Sequence, residues 1–176
     1  MNDSPAIRTA SVSDAPGVSR LLRSAMLTYC KDSGIPESML EAMTESIDSV
    51  ADRILRQTCL IAVREDEIVG TICLKDCNNP LVYSFNDKTF EFLKEFESCC
   101  YISRFAVRES YRKTGLGIDL ISRAVAMARE SGTGLVLLHS AASNTGMVDF
   151  YGKRGFDLID SENSRGYKRG LFAKKL

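Results

Sequence analysis

Between Tyr111 and Gly117 the chain reads YRKTGLG, with two basic side chains and two glycines directly ahead of an apolar stretch in helical register. Glycines let backbone approach a partner closely, and the N–H groups that open a helix form a donor set for an anion. The motif therefore predicts a hollow for a phosphate-like group, with a plain solvated turn as the alternative. A second reactive type is His139, the single histidine, at the end of the apolar run GLVLLH (134–139). An imidazole with an ordinary pKa near about 6.5 can accept a proton from a reacting group. A hydrogen-bonded histidine at a strand end is the other reading.

These residues need elements to hold them. Ala6 to Thr9 reads as a short strand. Ser13 or Asp14 is placed to cap a helix with Pro16 in its first turn and Val18, Leu21, Leu22, Ala25 and Tyr29 on one face. Gly34 and Pro36 break the chain, and from Glu37 the stripe Met43, Ile47, Val50 and Ile54 predicts a second helix ending near Gln57. CLIAV (59–63) and IVGTICL (68–74) flank the charged turn REDE (64–67) as a hairpin. CYISRFAV (100–107) is a strand running into the glycine turn, and Leu116 to Arg129 is a helix with Ile118, Ile121, Val125 and Ala128 in helical register and Leu120, Ala124 and Met127 widening the buried stripe. GLVLLH has the continuous apolar character of a central strand. NTGMVDFYGKR (144–154) reads as a short helix closed by Gly155, followed by strands FDLI (156–159) and YKRGLFA (167–173).

The segment 75–98 is longer than a hairpin needs. It holds the loop signal Asn79-Pro80 and then KTFEFLKEFE (88–97), where Phe90, Leu93 and Phe96 form the inner face of a short helix. A packed surface excursion is the plain reading, with Glu91, Glu95 and Glu97 as its wet face; a substrate lid or dimer contact is the functional one.

Length and composition bound the possibilities. A chain of 176 residues, 44% hydrophobic, suits one domain over 1–176 with a substantial core. A formal net charge of zero lacks the broad basic field of a polyanion binder, so nucleic acid is not an expected partner. No apolar run approaches the roughly 20 residues of a bilayer helix, and the N-terminus MNDSPAIRTA has no apolar signal core. The expectation is a cytoplasmic protein without membrane association. Six cysteines at irregular spacings and one histidine provide no zinc ligand set, so no metal is expected and the thiols should be free, mostly buried ones.

In this order of elements, the sequence resembles the GCN5-related N-acetyltransferase (GNAT) family. That family's phosphate motif is Gln or Arg, two residues, Gly, one residue, then Gly or Ala, and RKTGLG (112–117) matches every specified place. ISRFAV (102–107) looks like the strand beside the cofactor, and NTGMVDFYGKRGF (144–156) like the second cofactor motif. Weaker likeness at 7–22 and 59–74 extends the match over nearly the whole chain. The resemblance implies an α/β (α+β) fold: a mixed, mostly antiparallel sheet of about seven strands, helices on both faces, and a V-shaped cleft between the fourth and fifth strands.

It also implies acetyl-CoA as cofactor. The pyrophosphate would lie on the turn formed by Arg112, Lys113, Thr114, Gly115, Leu116, Gly117 and Ile118, with the two glycines giving backbone access and the two basic residues adding charge. The pantetheine arm would pair with the backbone of Phe105, Ala106 and Val107. Tyr151 matches the tyrosine that acts as general acid beside the thioester sulfur. Asn144 resembles an asparagine that meets the pantetheine region, though an N-cap role also explains it. Some peptide-acetylating members carry a glutamate base 12 residues before the tyrosine, where this chain has His139 (151 − 139). Ser103 and Arg104 flank the cleft, and strand alternation would turn only one of them inward.

The function implied is an acetyl-CoA-dependent N-acetyltransferase in which a primary amine of a small molecule or peptide attacks the thioester directly in a ternary complex. By analogy alone the family allows a homodimer. A non-catalytic acyl-CoA-binding or regulatory module is the alternative from another class, and a nucleotide-phosphate binder of different fold is a third. A Walker-type loop is excluded, since it needs a lysine directly after the second glycine.

Overall fold

The computed structural model describes residues 4–77 and 85–176. The loop signal at Asn79-Pro80 lies outside the described residues. Seven strands form one sheet in the order β1-β2-β3-β4-β5-β7-β6. They are β1 (Ala6–Thr9), β2 (Thr58–Arg64), β3 (Glu67–Asp76), β4 (Cys99–Val107), β5 (Leu135–Ala141), β6 (Asp157–Glu162) and β7 (Arg169–Lys175). Every neighbouring pair is antiparallel except β4 and β5. The α-helices are α1 (Ala15–Ser33), α2 (Glu41–Thr44), α3 (Ile47–Arg56), α4 (Asp87–Leu93), α5 (Leu116–Glu130) and α6 (Thr145–Gly152). None of the described helices is long and apolar enough to cross a membrane.

Strand alternation sends two apolar sets to opposite faces. Leu60, Ile72, Ile102, Val136 and Leu138 pack with Leu120, Ile121 and Ala124 of α5 and with Tyr151 of α6. On the other face Cys59, Ile61 and Cys73 meet α1 and α3, while Leu135, Leu137 and Leu171 meet Leu93 of α4. Gly70 lets α5 sit close to β3, since a Cβ there would stand 2.7 Å from Leu120 Cδ1.

The single helix expected over 37–57 is broken. A 3-10 turn at Glu37–Met39 and the short α2 precede α3, because Glu45 and Ser46 are extended and the Ser46 hydroxyl accepts from Ser49 N–H to start a new helix. Ile47, expected in the stripe, is exposed, whereas Val50 and Ile54 are buried. The short helix expected at 88–97 is α4, capped by Asn86.

The thiol expectation requires a correction. Cys77 and Cys99 form a disulfide, while Cys30, Cys59, Cys73 and Cys100 are free. The end of β3 returns alongside the start of β4, where Cys77 N–H donates to the Cys99 carbonyl at 2.9 Å and the two Cα atoms are 5.3 Å apart. A 22-residue separation gives no hint of that approach in the sequence.

Candidate active site

Parallel pairing of β4 with β5 runs from Cys99/Leu135 to Ile102/Leu138 and stops there. Beyond that point β4 stays with β3 up to Val107, and β5 stays with β7 up to Ala141. The two strands therefore part, and their facing backbone groups need other partners. One is supplied locally: Ala141 N–H donates to the Tyr29 hydroxyl of α1 at 2.7 Å. A cavity of about 700 Å³ opens at the fork, lined by β4 residues 101–107, β5 residues 138–141, the start of α5, α6, and α1 and α2.

β4 is bulged inside this fork. Cys73 faces Ser103 and Thr71 faces Ala106, so Ile72 alone opposes both Arg104 and Phe105. Arg104 sits at φ 52°. The bulge corrects the expectation from strand alternation, because Ser103 and Arg104 both line the cavity.

At the glycine turn, α5 begins at Leu116 with Gly115 as N-cap at φ 99°, and no side chain caps it. Lys113 is also left-handed, at φ 64°. Left-handed residues within a turn are the backbone form that gathers N–H groups into an anion hollow. Arg112, Lys113, Gly115, Gly117 and Ile118 line the cavity, as do Phe105, Ala106, Val107, Asn144 and Tyr151. Thr114 and Leu116 do not. Thr114 Oγ1 donates to the Tyr111 carbonyl at 2.7 Å, and Leu116 is buried in the core. The Ile118 N–H is already committed to the Gly115 carbonyl at 2.8 Å, so Ile118 offers its half-exposed side chain instead. A Cβ at Gly117 would meet the Phe105 ring at 3.4 Å and the Phe150 ring at 3.7 Å. Arg112 Nε donates to the Val107 carbonyl at 3.2 Å. Arg154 lays its guanidinium 3.6 Å over Phe150, and its buried Nε has no partner among the described residues.

Asn144 is buried and satisfied at both ends of its amide. Oδ1 accepts from Met147 N–H at 3.1 Å as the cap of α6, and Nδ2 donates to Ser33 Oγ at 3.0 Å. Tyr151 is 5% exposed, packed against Phe105, Phe150, Phe156 and Phe172, with no hydrogen-bond partner among the described residues. Burial, together with Tyr29 and Tyr101 nearby, raises its pKa, so the phenol keeps its proton.

His139 projects to the opposite face of the sheet from Tyr151. Its Nδ1 is 2.7 Å from the Tyr101 hydroxyl, and its ring stacks on Phe85 at 6.1 Å between centroids. Burial first, then the guanidinium groups of Arg169 and Arg165, lowers its pKa to about 4. Burial pushes Tyr101 up to about 12. At neutral pH the imidazole is therefore uncharged and the phenol protonated. Sequence reading missed Tyr101, because only the parallel register of β4 and β5 brings it to His139. It also missed Tyr29, Tyr167, Arg165 and Arg169, which reach the cavity from separate elements.

The chain belongs to the acetyltransferase (GNAT) family, whose model matches residues 27–156. N-alpha-acetyltransferase MAK3 of Arabidopsis thaliana is 31% identical over 100 residues, 57% of this chain and 45% of that protein. The chain spans about half the length of the curated relatives it matches. The PaiA N-acetyltransferase of Thermoplasma acidophilum, solved in complex with coenzyme A, is 20% identical with a TM-score of 0.77, covering 99% of this chain and 100% of that one. YncA of Salmonella typhimurium, solved with its cofactor acetyl-CoA, is 16% identical with a TM-score of 0.70, covering 99% and 95%. These likenesses show the shared fold.

Proposed function

We propose that the protein is an acetyl-CoA-dependent N-acetyltransferase acting on a primary amine by direct attack in a ternary complex. The observation that carries this reading is the parting of β4 from β5 after Ile102/Leu138, which leaves one cavity reached by the uncapped start of α5, by Tyr151 and by the Tyr101–His139 pair. The names of the relatives and the coenzyme A bound by structural neighbours support the same cofactor.

The residues present fit acetyl-CoA. Free N–H groups at the start of α5, with Arg112 and Lys113 beside them, hold the pyrophosphate. The edge of β4 at Phe105, Ala106 and Val107, which β5 no longer pairs and where Arg112 Nε holds the Val107 carbonyl, would receive the pantetheine amides as it would an added strand. Acetyl-CoA, when bound, supplies the thioester that the amine attacks. Tyr151, protonated at neutral pH, is the general acid for the departing thiol. Tyr101 Oη takes the proton of the attacking nitrogen, directly or through water, while passing its own to His139 Nδ1. A neutral imidazole is the required starting state for that relay.

Release of free CoA thiol with a panel of amines tests the reading. Tyr151→Phe should lower kcat by about 100-fold or more, the usual scale of one proton-transfer group, with acetyl-CoA affinity kept. Unchanged rates in both Tyr151→Phe and His139→Ala would overturn the assignments. Acetyl-CoA binding without thiol release for any amine class would instead identify a CoA-binding module.

A further inference from the structure

Guanidinium groups from three separate elements wall one part of the cavity. Arg104 stands on the β4 bulge, Arg165 in the turn between β6 and β7, and Arg169 at the start of β7. Arg169 is tied to Glu162, and Arg104 shares Glu45 with Arg53 of α3. Arg165 pairs with Glu41 of α2 at 2.8 Å, and the same carboxylate lies 3.7 Å from Arg104. A carboxylate thus already bridges two guanidinium groups at the cavity wall, on a side chain that is 60% exposed. Burial works against the charge on Glu41, yet Arg165 and Arg104 hold its carboxyl below the usual range.

The field of these guanidinium groups, partly offset by Glu162 and Asp160, also reaches His139, where Arg169 and Arg165 add to the burial that keeps the imidazole uncharged. A polyamine would bring ammonium groups into that field. A carboxylate would enter it favourably, and the planar fork of arginine matches its two oxygens.

We infer, on the acetyltransferase reading above, that the acceptor is a primary amine carrying a carboxylate, which Arg165 and Arg104 receive in the seat Glu41 now fills. Glu41 gives way readily, because an exposed ion pair on a short helix is weakly held.

The test uses matched acceptors that differ only in the anion: L-lysine against lysinamide, and the amidated dipeptide Met-Glu against amidated Met-Gln, with spermidine as a third arm. Thiol release should show kcat/KM at least about tenfold higher for a carboxylate member, as expected for a charged hydrogen-bonded contact. Arg165→Gln should lower that member at least about tenfold more than its carboxamide, through KM, and Arg165→Lys should restore part of the difference. Melting curves check that the variants fold. Equal rates for both members of each pair, or a preference for spermidine, overturn the inference while the acetyltransferase reading stands. If no amine is acetylated, calorimetric titration of L-lysine and lysinamide decides. Tighter binding of L-lysine, lost in Arg165→Gln, supports the carboxylate seat without the catalytic reading, and equal binding overturns it.

Discussion

His139 owes its properties to its surroundings more than to its type. An exposed imidazole would be about half protonated near pH 6.5, but burial on β5 and the guanidinium groups of Arg169 and Arg165 hold this one neutral down to about pH 4. The unfolded chain binds a proton at this residue between those two values and the folded chain does not. Stability is therefore lost as the pH falls from 6.5 towards 4, by up to about 3 kcal/mol for a shift of this size. Urea unfolding of the native chain and His139→Gln from pH 7 to 4 should show that excess loss only in the native chain. An identical pH slope for the two would contradict the buried neutral imidazole. The histidine at 139 was legible as a candidate from its type and place in the chain, and the tyrosine at 151 from the resemblance of its motif to the GNAT family. Tyr101 was not, because its partnership with His139 arises across two strands rather than along one.

The element that matters most is the turn entering α5. Gly115 needs its left-handed φ of 99°, and Gly117 faces the Phe105 and Phe150 rings with room for little more than a methyl group. Gly117→Val should push those rings into the cavity and abolish the thermal shift given by acetyl-CoA. Lys113→Ala removes one solvent-edge charge and should weaken binding only several-fold. Similar losses from both, measured by calorimetry, would contradict this division of roles. A second element contact holds the fork open: Tyr29 of α1 accepts the Ala141 N–H that β4 no longer faces. Ala141 is buried, so Tyr29→Phe leaves a donor unsatisfied and should cost about 1–3 kcal/mol in chemical denaturation. The turn was readable from its glycines, and the strand and long-helix order from periodicity. The break of the second helix at Glu45 and Ser46 and the bulge at Arg104 were not. Both bring charged residues to the cavity, and local apolar patterning carries no signal for that.

For the whole molecule, a ligand that binds only the folded chain raises its stability by mass action. Acetyl-CoA at about 100 times its Kd should add about 2.7 kcal/mol, or roughly 5–10 °C in Tm for a chain of this size. ATP and NAD at equal concentration should add little. A larger shift with either nucleotide would point to a different ligand for the α5 turn.

YRKTGLG, the tyrosine and asparagine of the second motif, and the alternation of apolar runs were enough to set out the strands and the long buried helix in chain order and, through the GNAT resemblance, an expected place for an anion at the α5 turn. Those signals are local: a glycine's freedom, a helix start and a two- or 3.6-residue period act over a few positions. The tertiary structure alone decided which side chains meet across the fork. The Tyr101–His139 bond, the Tyr29 clamp on Ala141, the Cys77–Cys99 disulfide and the arginine wall around Glu41 each join residues from separate elements. Such contacts are fixed by strand register, by the β4 bulge and by the end of β4–β5 pairing at Ile102/Leu138, none of which is written in any short stretch of the chain.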